Sequence, residues 1–426
     1  MDLEGIARKL ISSHEDARKK LIEELRFYKD ETYPVDKVAS AIVQEVSQSL
    51  KADRFTYVKT GIKAGDSGLG SRGIGDHIIH QALFEISGRP LSSFDDAGIE
   101  DDVIVSVDGI HSRLGYFPFL AGFHATRATL RDIMVKGGKP LGVIVDIHLS
   151  DDSDIGMLTD FEAGVSTVTD FMGIKILSGS TLRIGGDMVI GERISGGIAS
   201  VGKIGKKRFL RTNVSEGQYV VMTEGNGGGT IATTAIFHGM PEIVDSTLNL
   251  KDLLACKVLD RVPDKVDSVT DVTNGGIRSI SSEINAGRNE GKVTLKINIA
   301  KFKALINSKV KNMLYQLNID PLGLSIDSIL FFTRFPDQII DSLREERITA
   351  DVIGTVDKYN GHDIISEDGV PLEENFRESP YTPLKKVIGN WSPYSLREIR
   401  NKVNEAVKES MRKKEETLKN LKTGNA

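Results

Sequence analysis

From Asp102 onward, short β-branched runs alternate with longer helix-like stretches, and few folds satisfy that alternation. The strand-like runs are Val103 to Val107, Leu141 to Ile147 and Met188 to Ile190; the helix-like stretches are Phe119 to Met134 and Met157 to Met172. Strands separated by helices long enough to cross back over a sheet predict an α/β domain, here ending near Gly202. The polar, basic run Lys203 to Arg211 reads as a linker, and a new strand follows at Gln218 to Thr223. A second domain then runs to about Tyr359. It carries a helical region after Gly229, a turn at Val269-Thr270-Asp271, and strands at Val293 to Ile297 and Ile329 to Thr333. A chain of 426 residues exceeds the size at which one core keeps growing, which agrees with two domains plus accessory segments. The expected boundaries are a helical lead-in over 1–54, an N-terminal α/β domain over 55–205, a C-terminal α/β domain over 206–375, and a charged helical extension over 376–426.

The flanks read as helices. Leu3, Ile6, Leu10, Leu21, Ile22 and Leu25 place apolar side chains at helical spacing, Pro34 interrupts, and Val35, Val38, Ile42, Val43 and Val46 resume it before a strand-like Phe55 to Val58. Leu396, Ile399, Val403, Val407 and Met411 form one apolar stripe that suits a docking helix. Lys and Arg number 55 against 60 Asp and Glu, so the net charge of −5 gives no pull toward nucleic acid or an anionic membrane. Cys256 is the only cysteine, which excludes an intrachain disulfide and a cysteine-cluster metal site; it reads as a small buried residue. No stretch approaches the roughly 18 to 20 apolar residues of a membrane span, so the expectation is a cytoplasmic protein.

Several constellations carry chemistry. Gly61 to Gly75 contains six glycines, and Gly65 to Gly75 leads into a helix-compatible Asp76 to Ile86. Glycines let backbone N–H groups turn toward an anion, so this stretch suits a phosphate cradle, although a surface loop explains it equally well. It is not a P-loop, lacking the Gly-Lys-Ser/Thr ending. Asp95, Asp96, Asp108, Asp132 and Asp271 stand at strand or loop ends, where they suit a hard cation that shares itself between carboxylates, water and phosphate oxygens. Any one of them alone reads as a cap or turn residue. His111 and His124 flank this region and read as structural histidines, Trp391 as the cover of a core edge, and Gly227-Gly228-Gly229 as a tight strand-to-helix turn.

In order, Asp95-Asp96-Ala97, Val107-Asp108, Arg131-Asp132 with Gly137-Gly138-Lys139-Pro140, Gly179-Ser180-Thr181 and Asp271-Val272-Thr273-Asn274-Gly275-Gly276 resemble the aminoimidazole-ribonucleotide (AIR) synthetase superfamily. The resemblance spans about Gly61 to Thr355. It implies two α/β domains, N-terminal domains paired in a homodimer, and ATP with magnesium, acting on a small-molecule substrate. By the same resemblance Asp96, Asp108, Asp132 and Asp271 hold the metal and phosphates with Asp95 assisting. Gly68, Gly70, Ser71 and Gly73 cover the phosphates, Thr181 and Asn274 contact the ligand, and Arg72 and Arg131 face the charge on a transferred phosphoryl group, with Asp132 beside them. Asn274 stands where members commonly have an acid, Ser112-Arg113 where the purine enzyme has a lysine-bearing segment, and Ile326-Asp327-Ser328 where a Glu-Gly pair is usual. These departures count against AIR synthesis itself. Two function classes follow: an ATP-dependent phosphoryl-transfer enzyme, or a nucleotide-binding assembly or maturation partner that docks through Leu396 to Met411.

Overall fold

The computed structural model describes residues 1–88, 95–286, 288, 290–378 and 380–423. Its helices are α1 (Leu3–Ser12), α2 (Ala17–Tyr28), α3 (Val35–Ser49), α4 (Ala64–Ser67), α5 (Ile74–Ser87), α6 (Pro118–Val135), α7 (Gly156–Met172), α8 (Gly229–Phe237), α9 (Lys251–Cys256), α10 (Gly276–Ala286), α11 (Ile299–Ala304), α12 (Ser308–Gln316), α13 (Pro336–Glu345), α14 (Pro383–Ile388) and α15 (Leu396–Thr423). One sheet contains β1 (Gly98–Glu100), β2 (Val103–Gly109), β3 (Gly138–Leu149), β4 (Lys175–Arg183) and β5 (Ile194–Ile204), in the order β1-β2-β5-β3-β4. The other contains β6 (Tyr219–Thr223), β7 (Ser268–Asp271), β8 (Val293–Ile297), β9 (Ile329–Thr333), β10 (Ala350–Lys358) and β11 (Ile364–Ser366), in the order β11-β8-β10-β6-β9-β7. The expected mixture of α and β in two sheets is what the chain forms.

Two compact units emerge, and neither is one continuous stretch: the first comprises Met1–Tyr57, Val107–Thr126 and Gly142–Ala199, the second Val58–Ser106, Arg127–Leu141 and Ser200–Ala426.

In the first unit the apolar lead-in forms two helices instead of one. Asp2 caps α1 by accepting from the Gly5 amide at 2.9 Å, and Asp16 caps α2 by accepting from Lys19 at 3.1 Å, so a new helix starts after the break at 13–16. Leu3, Leu21, Leu25, Ile42 and Val46 share a core with Ile190. Helices α6 and α7 meet through glycines. A Cβ on Gly122 would lie 3.1 Å from the Phe161 carbonyl carbon, and one on Gly164 would lie 2.9 Å from the Phe123 amide nitrogen, so only glycine permits this approach. Strands β3 and β4 run parallel, with Asp146 opposite Ser180 and His148 opposite Leu182. Val143, Val145, Ile147 and Leu149 point inward, whereas Ile144 and Leu182 are exposed, as is Val107 at the end of β2, at 73%. This unit therefore leaves apolar side chains bare.

In the second unit β6 and β9 are buried almost throughout, which is why their sequences read as apolar runs without alternation, and the short, mostly polar β7 is buried as well. The stripe on α15 is occupied by its own chain: Ile399, Val403 and Val407 pack on Ile78 and Ala82 of α5. Each such burial contributes about 1.5 to 3 kcal/mol. The docking surface expected of this helix is thus filled from within.

Other expectations fail locally. Phe55 to Val58 is no strand, since a 3-10 turn runs from Leu50 to Phe55. Met188 to Ile190 holds a turn end and a single bridge from Val189 to Asp2. Val269-Thr270-Asp271 is strand β7, paired with β9, rather than a turn. Trp391 is 63% exposed and covers no core.

Candidate functional site

Most of the expected site residues belong to the second unit. Gly68, Gly70, Ser71, Arg72, Gly73, Asp95, Asp96, Arg131, Asp132, Asp271 and Asn274 lie there, whereas Asp108, at the end of β2, and Thr181, exposed on β4, belong to the first.

The centre of the second-unit cluster is the C-terminal half of α6. Arg127 and Arg131 are one turn apart, so a helix that is apolar on most sides directs both guanidinium groups the same way. Arg127 donates through Nε to both oxygens of Asp252 at 2.9 Å, and through Nη1 to the carbonyls of Gly227 at 3.0 Å and Thr247 at 3.1 Å. Arg131 donates from Nη1 to Asp252 at 2.8 Å and Asp327 at 2.6 Å, and from Nε to Oδ2 of Asp271. Burial pulls the Arg131 guanidinium toward neutrality, but Asp271, Asp327 and Asp252 outweigh it and raise its pKa well above the usual value. One cation shared among three acids gives each less than a full counter-charge. Burial accordingly pushes the Asp271 carboxyl up to about 6, Arg131 opposing and Asp96 adding to the rise.

A second knot adjoins the first through Thr270 and Asp271 of β7. Lys136, fully buried, bridges Asp95 at 2.6 Å and Asp96 at 3.0 Å. Arg211 pairs with Asp96 and, at 2.8 Å, with Glu283, while the Thr270 hydroxyl donates to Asp96 at 2.9 Å. Burial would raise the Glu283 carboxyl, yet Arg211, with His77 and Arg72, holds it down at about 2. Asp132 accepts from the Ser106 hydroxyl at 2.7 Å and adds to the negative field that keeps Arg131 charged.

The glycine-rich segment follows α4. Gly68, Gly70 and Gly73 have positive φ, and so does Arg72 at 52°, a conformation that non-glycine residues seldom adopt. The amides of Leu69, Gly70, Ser71, Ile74, Gly75 and Asp76 all donate to protein acceptors, Gly70 to the Asp76 carboxylate at 2.8 Å. A Cβ on Gly275 would lie 3.1 Å from the Arg72 Cβ, so the loop meets the Asp271–Gly276 segment directly. There the Asn274 side-chain oxygen accepts from Thr230 at 2.8 Å.

The donor set suits magnesium in kind: hard carboxylate oxygens, one of which, Oδ1 of Asp271, is buried and accepts no hydrogen bond from the described residues. Among the described residues no group of three or more His, Cys, Asp or Glu side chains is arranged to hold an ion. Asp95, Asp96 and Asp271 already face Lys136, Arg211 and Arg131. An ion here would therefore take its remaining ligands from phosphate and water.

Lys136, Arg211, Asp252, Asp327, His77 and Glu283 were not foreseen. Arg127 and Arg131 at four-residue spacing on an apolar helix were the one local signal that buried acids must exist elsewhere.

The AIR synthase related protein N-terminal domain model matches residues 94–204. The chain is 37% identical to the uncharacterized protein MJ1416 of Methanocaldococcus jannaschii, over 99% of this chain and 98% of that one. It is 23% identical to a putative hydrogenase expression/formation protein, MJ0676, of the same organism, over 64% of this chain and 82% of that one. Among solved structures, hydrogenase maturation protein HypE in complex with ATP superimposes with a TM-score of 0.53 at 17% identity, over 72% of this chain and 95% of that one. AaThiL complexed with AMPPCP and TMP gives 0.53 at 15% identity, over 75% and 98%. The motif order, the pair of mixed sheets and these likenesses agree, and the chain belongs to the AIR synthase-related superfamily.

Proposed function

We propose that this protein is an ATP- and magnesium-dependent phosphoryl-transfer enzyme that activates a small-molecule acceptor. The observation that carries the proposal is the direct contact of the glycine-rich loop with the Asp271–Gly276 segment, at Arg72 and Gly275, beside a buried cluster of acids. Relatives of the same fold supply the ligand class, since HypE is seen with ATP and AaThiL with AMPPCP and TMP.

In this reading Gly68, Gly70, Ser71 and Gly73 shape the loop that covers the triphosphate, and Asn274 contacts the nucleotide. The Arg72 guanidinium, 36% exposed, faces the charge of the transferred group. Asp271, whose Oδ1 is buried and accepts no hydrogen bond from the described residues, would offer its carboxylate to magnesium, which when bound neutralises the triphosphate and polarises the group to be transferred. Arg131, donating to three acids, acts by fixing Asp271 in place. Phosphoryl transfer needs no protein nucleophile; positioning and charge stabilisation suffice. We further infer a homodimer formed through the bare apolar side chains of the first unit, among them Val107, Ile144 and Leu182.

Calorimetric titration with a non-hydrolysable ATP analogue and magnesium tests the reading. Wild-type protein should bind, and Arg72→Ala and Asp132→Asn should each weaken binding about tenfold or more without loss of fold, the scale of a charge-assisted contact. No binding by the wild type, or wild-type affinity in both variants, sinks the assignment. Mass-spectrometric screening for a metabolite that converts ATP to ADP and a new product then identifies the acceptor.

A further inference from the structure

We propose that Glu378, in the segment before α14, is a positioning residue that locks the glycine-rich loop against α10 and so sets nucleotide affinity. The inference rests on the phosphoryl-transfer reading for what the loop does, and on contacts within the second unit for how it is held.

Glu378 is buried, and both its carboxylate oxygens engage one guanidinium: Arg278 donates from Nε to Oε1 at 2.9 Å and from Nη2 to Oε2 at 2.7 Å. This two-pronged geometry fixes orientation as well as distance. Arg278 sits on α10 two residues beyond Gly276 and also donates to Asp320 at 2.6 Å. Glu378 is thereby tied to the helix that the Asp271–Gly276 segment feeds.

The other attachments of this segment reach the loop. The Glu378 amide donates to the Arg72 carbonyl at 3.3 Å. Its Oε1 accepts from the Asn375 amide at 2.8 Å and the Asn375 side chain at 3.1 Å, which closes residues 375–378 into a tight turn. From that turn the carbonyls of Asn375 and Phe376 accept from Ile74 at 3.0 Å and Gly75 at 3.2 Å, the first two amides of α5. A Cβ on Gly73 would lie 2.9 Å from the Phe376 carbonyl oxygen and 3.1 Å from the Glu378 amide, so glycine is required by the closeness of the strap as well as by its φ of 91°. Arg72 holds its left-handed backbone between these anchors. Such a conformation persists only where the surroundings over-determine it, and Glu378 is the residue through which the anchors converge.

A loop held in one shape spends less ordering entropy on closing over a phosphate. Loss of the Glu378 anchor should therefore loosen the loop and the nucleotide together. Amide exchange and calorimetric titration with the ATP analogue and magnesium, on the full chain, read these separately. In Glu378→Gln, exchange at Ile74 and Gly75 should rise at least tenfold while β6 and β9 stay as protected as in the wild type, and the analogue should bind about tenfold more weakly. Arg278→Lys keeps the charge but loses the fork; it should show the same pattern at roughly threefold and serves if Glu378→Gln does not fold. Unchanged exchange at Ile74 and Gly75, or a uniform loss of protection that includes β6 and β9, overturns the inference. If the wild type binds no analogue, the phosphoryl-transfer reading fails, and the exchange data still decide whether Glu378 anchors the loop.

Discussion

Replacing Arg131 with methionine should unfold the second unit before it impairs any chemistry. The arginine is 1% exposed and provides the counter-charge that Asp271 and Asp327 share, whereas Asp252 keeps Arg127 at 2.9 Å. Methionine refills most of the aliphatic stem, so the cavity contribution is small and the cost is electrostatic. Stripping one partner from a buried ion pair costs about 3 to 5 kcal/mol, a large part of the roughly 5 to 15 kcal/mol that holds a domain together. The effect has a pH signature. Asp271 titrates at about 6 in the fold against 3.8 when free, so its contribution to stability is fully present below about 3.8 and is lost as pH rises through about 6. Without Arg131 the group that opposes this rise is gone, the folded pKa climbs further, and the deficit of Arg131→Met should shrink as pH falls from 7.5 to 5. Urea denaturation followed by far-ultraviolet circular dichroism at both pH values reads this. Asp271→Asn in the same background should recover part of the loss at pH 7.5, since it removes an orphaned charge. A wild-type midpoint for Arg131→Met at pH 7.5, combined with lost nucleotide turnover, would show that Arg131 faces substrate instead of holding the core.

Two more tests follow from geometry already given. Burial lowers the affinity of His77 for its proton, but Glu374, 3.3 Å from Nδ1, and Glu283, 3.7 Å from Nε2, outweigh it and raise its pKa to about 10. Its contribution is fully present below about 6.5 and lost as pH rises through about 10; calorimetric melting should therefore decline more steeply from pH 7 to 10 in the wild type than in His77→Gln, and equal slopes would refute the clamp. Placing a charge on the bare face of β4 with Leu182→Asp should turn a dimer into a monomer in sedimentation equilibrium without changing the melting of the second unit, while a dimer that persists unchanged removes Leu182 from the interface.

What could be read from the chain itself was whatever depends on local patterning. Strands β2, β3, β6, β8 and β9 were legible because β-branched and aromatic residues crowd them, and α6 and α7 because their length excludes strands. Strand β4 escaped because Ser178-Gly179-Ser180-Thr181 carries turn residues and lies exposed. Gly196 and Gly197 likewise hid β5. Strand β7 passed for a turn because four buried residues are too few to show a period. Within the candidate site, the ordered aspartates could be named from the sequence, but their partners could not be foreseen. Lys136 and Arg211 look like surface basics in the sequence, and only the fold reveals that each is buried against Asp96. The loop was legible as glycine-rich; its anchoring by Glu378, some 300 positions later, was not.

The interleaving of the second unit has a consequence for how the protein is made. Arg131 and Asp271 are 140 positions apart, and at roughly 5 to 20 residues per second the ribosome takes about 7 to 28 s to deliver the acid after its base. Through that interval Arg131 must stay hydrated, as must Arg127 until Asp252 is made, so the end of α6 settles late while its beginning can already pack on α7. A fragment starting at residue 206 would lack Arg127 and Arg131 and strip Asp252, Asp271 and Asp327 of these counter-charges, so the fold does not divide cleanly at the basic run.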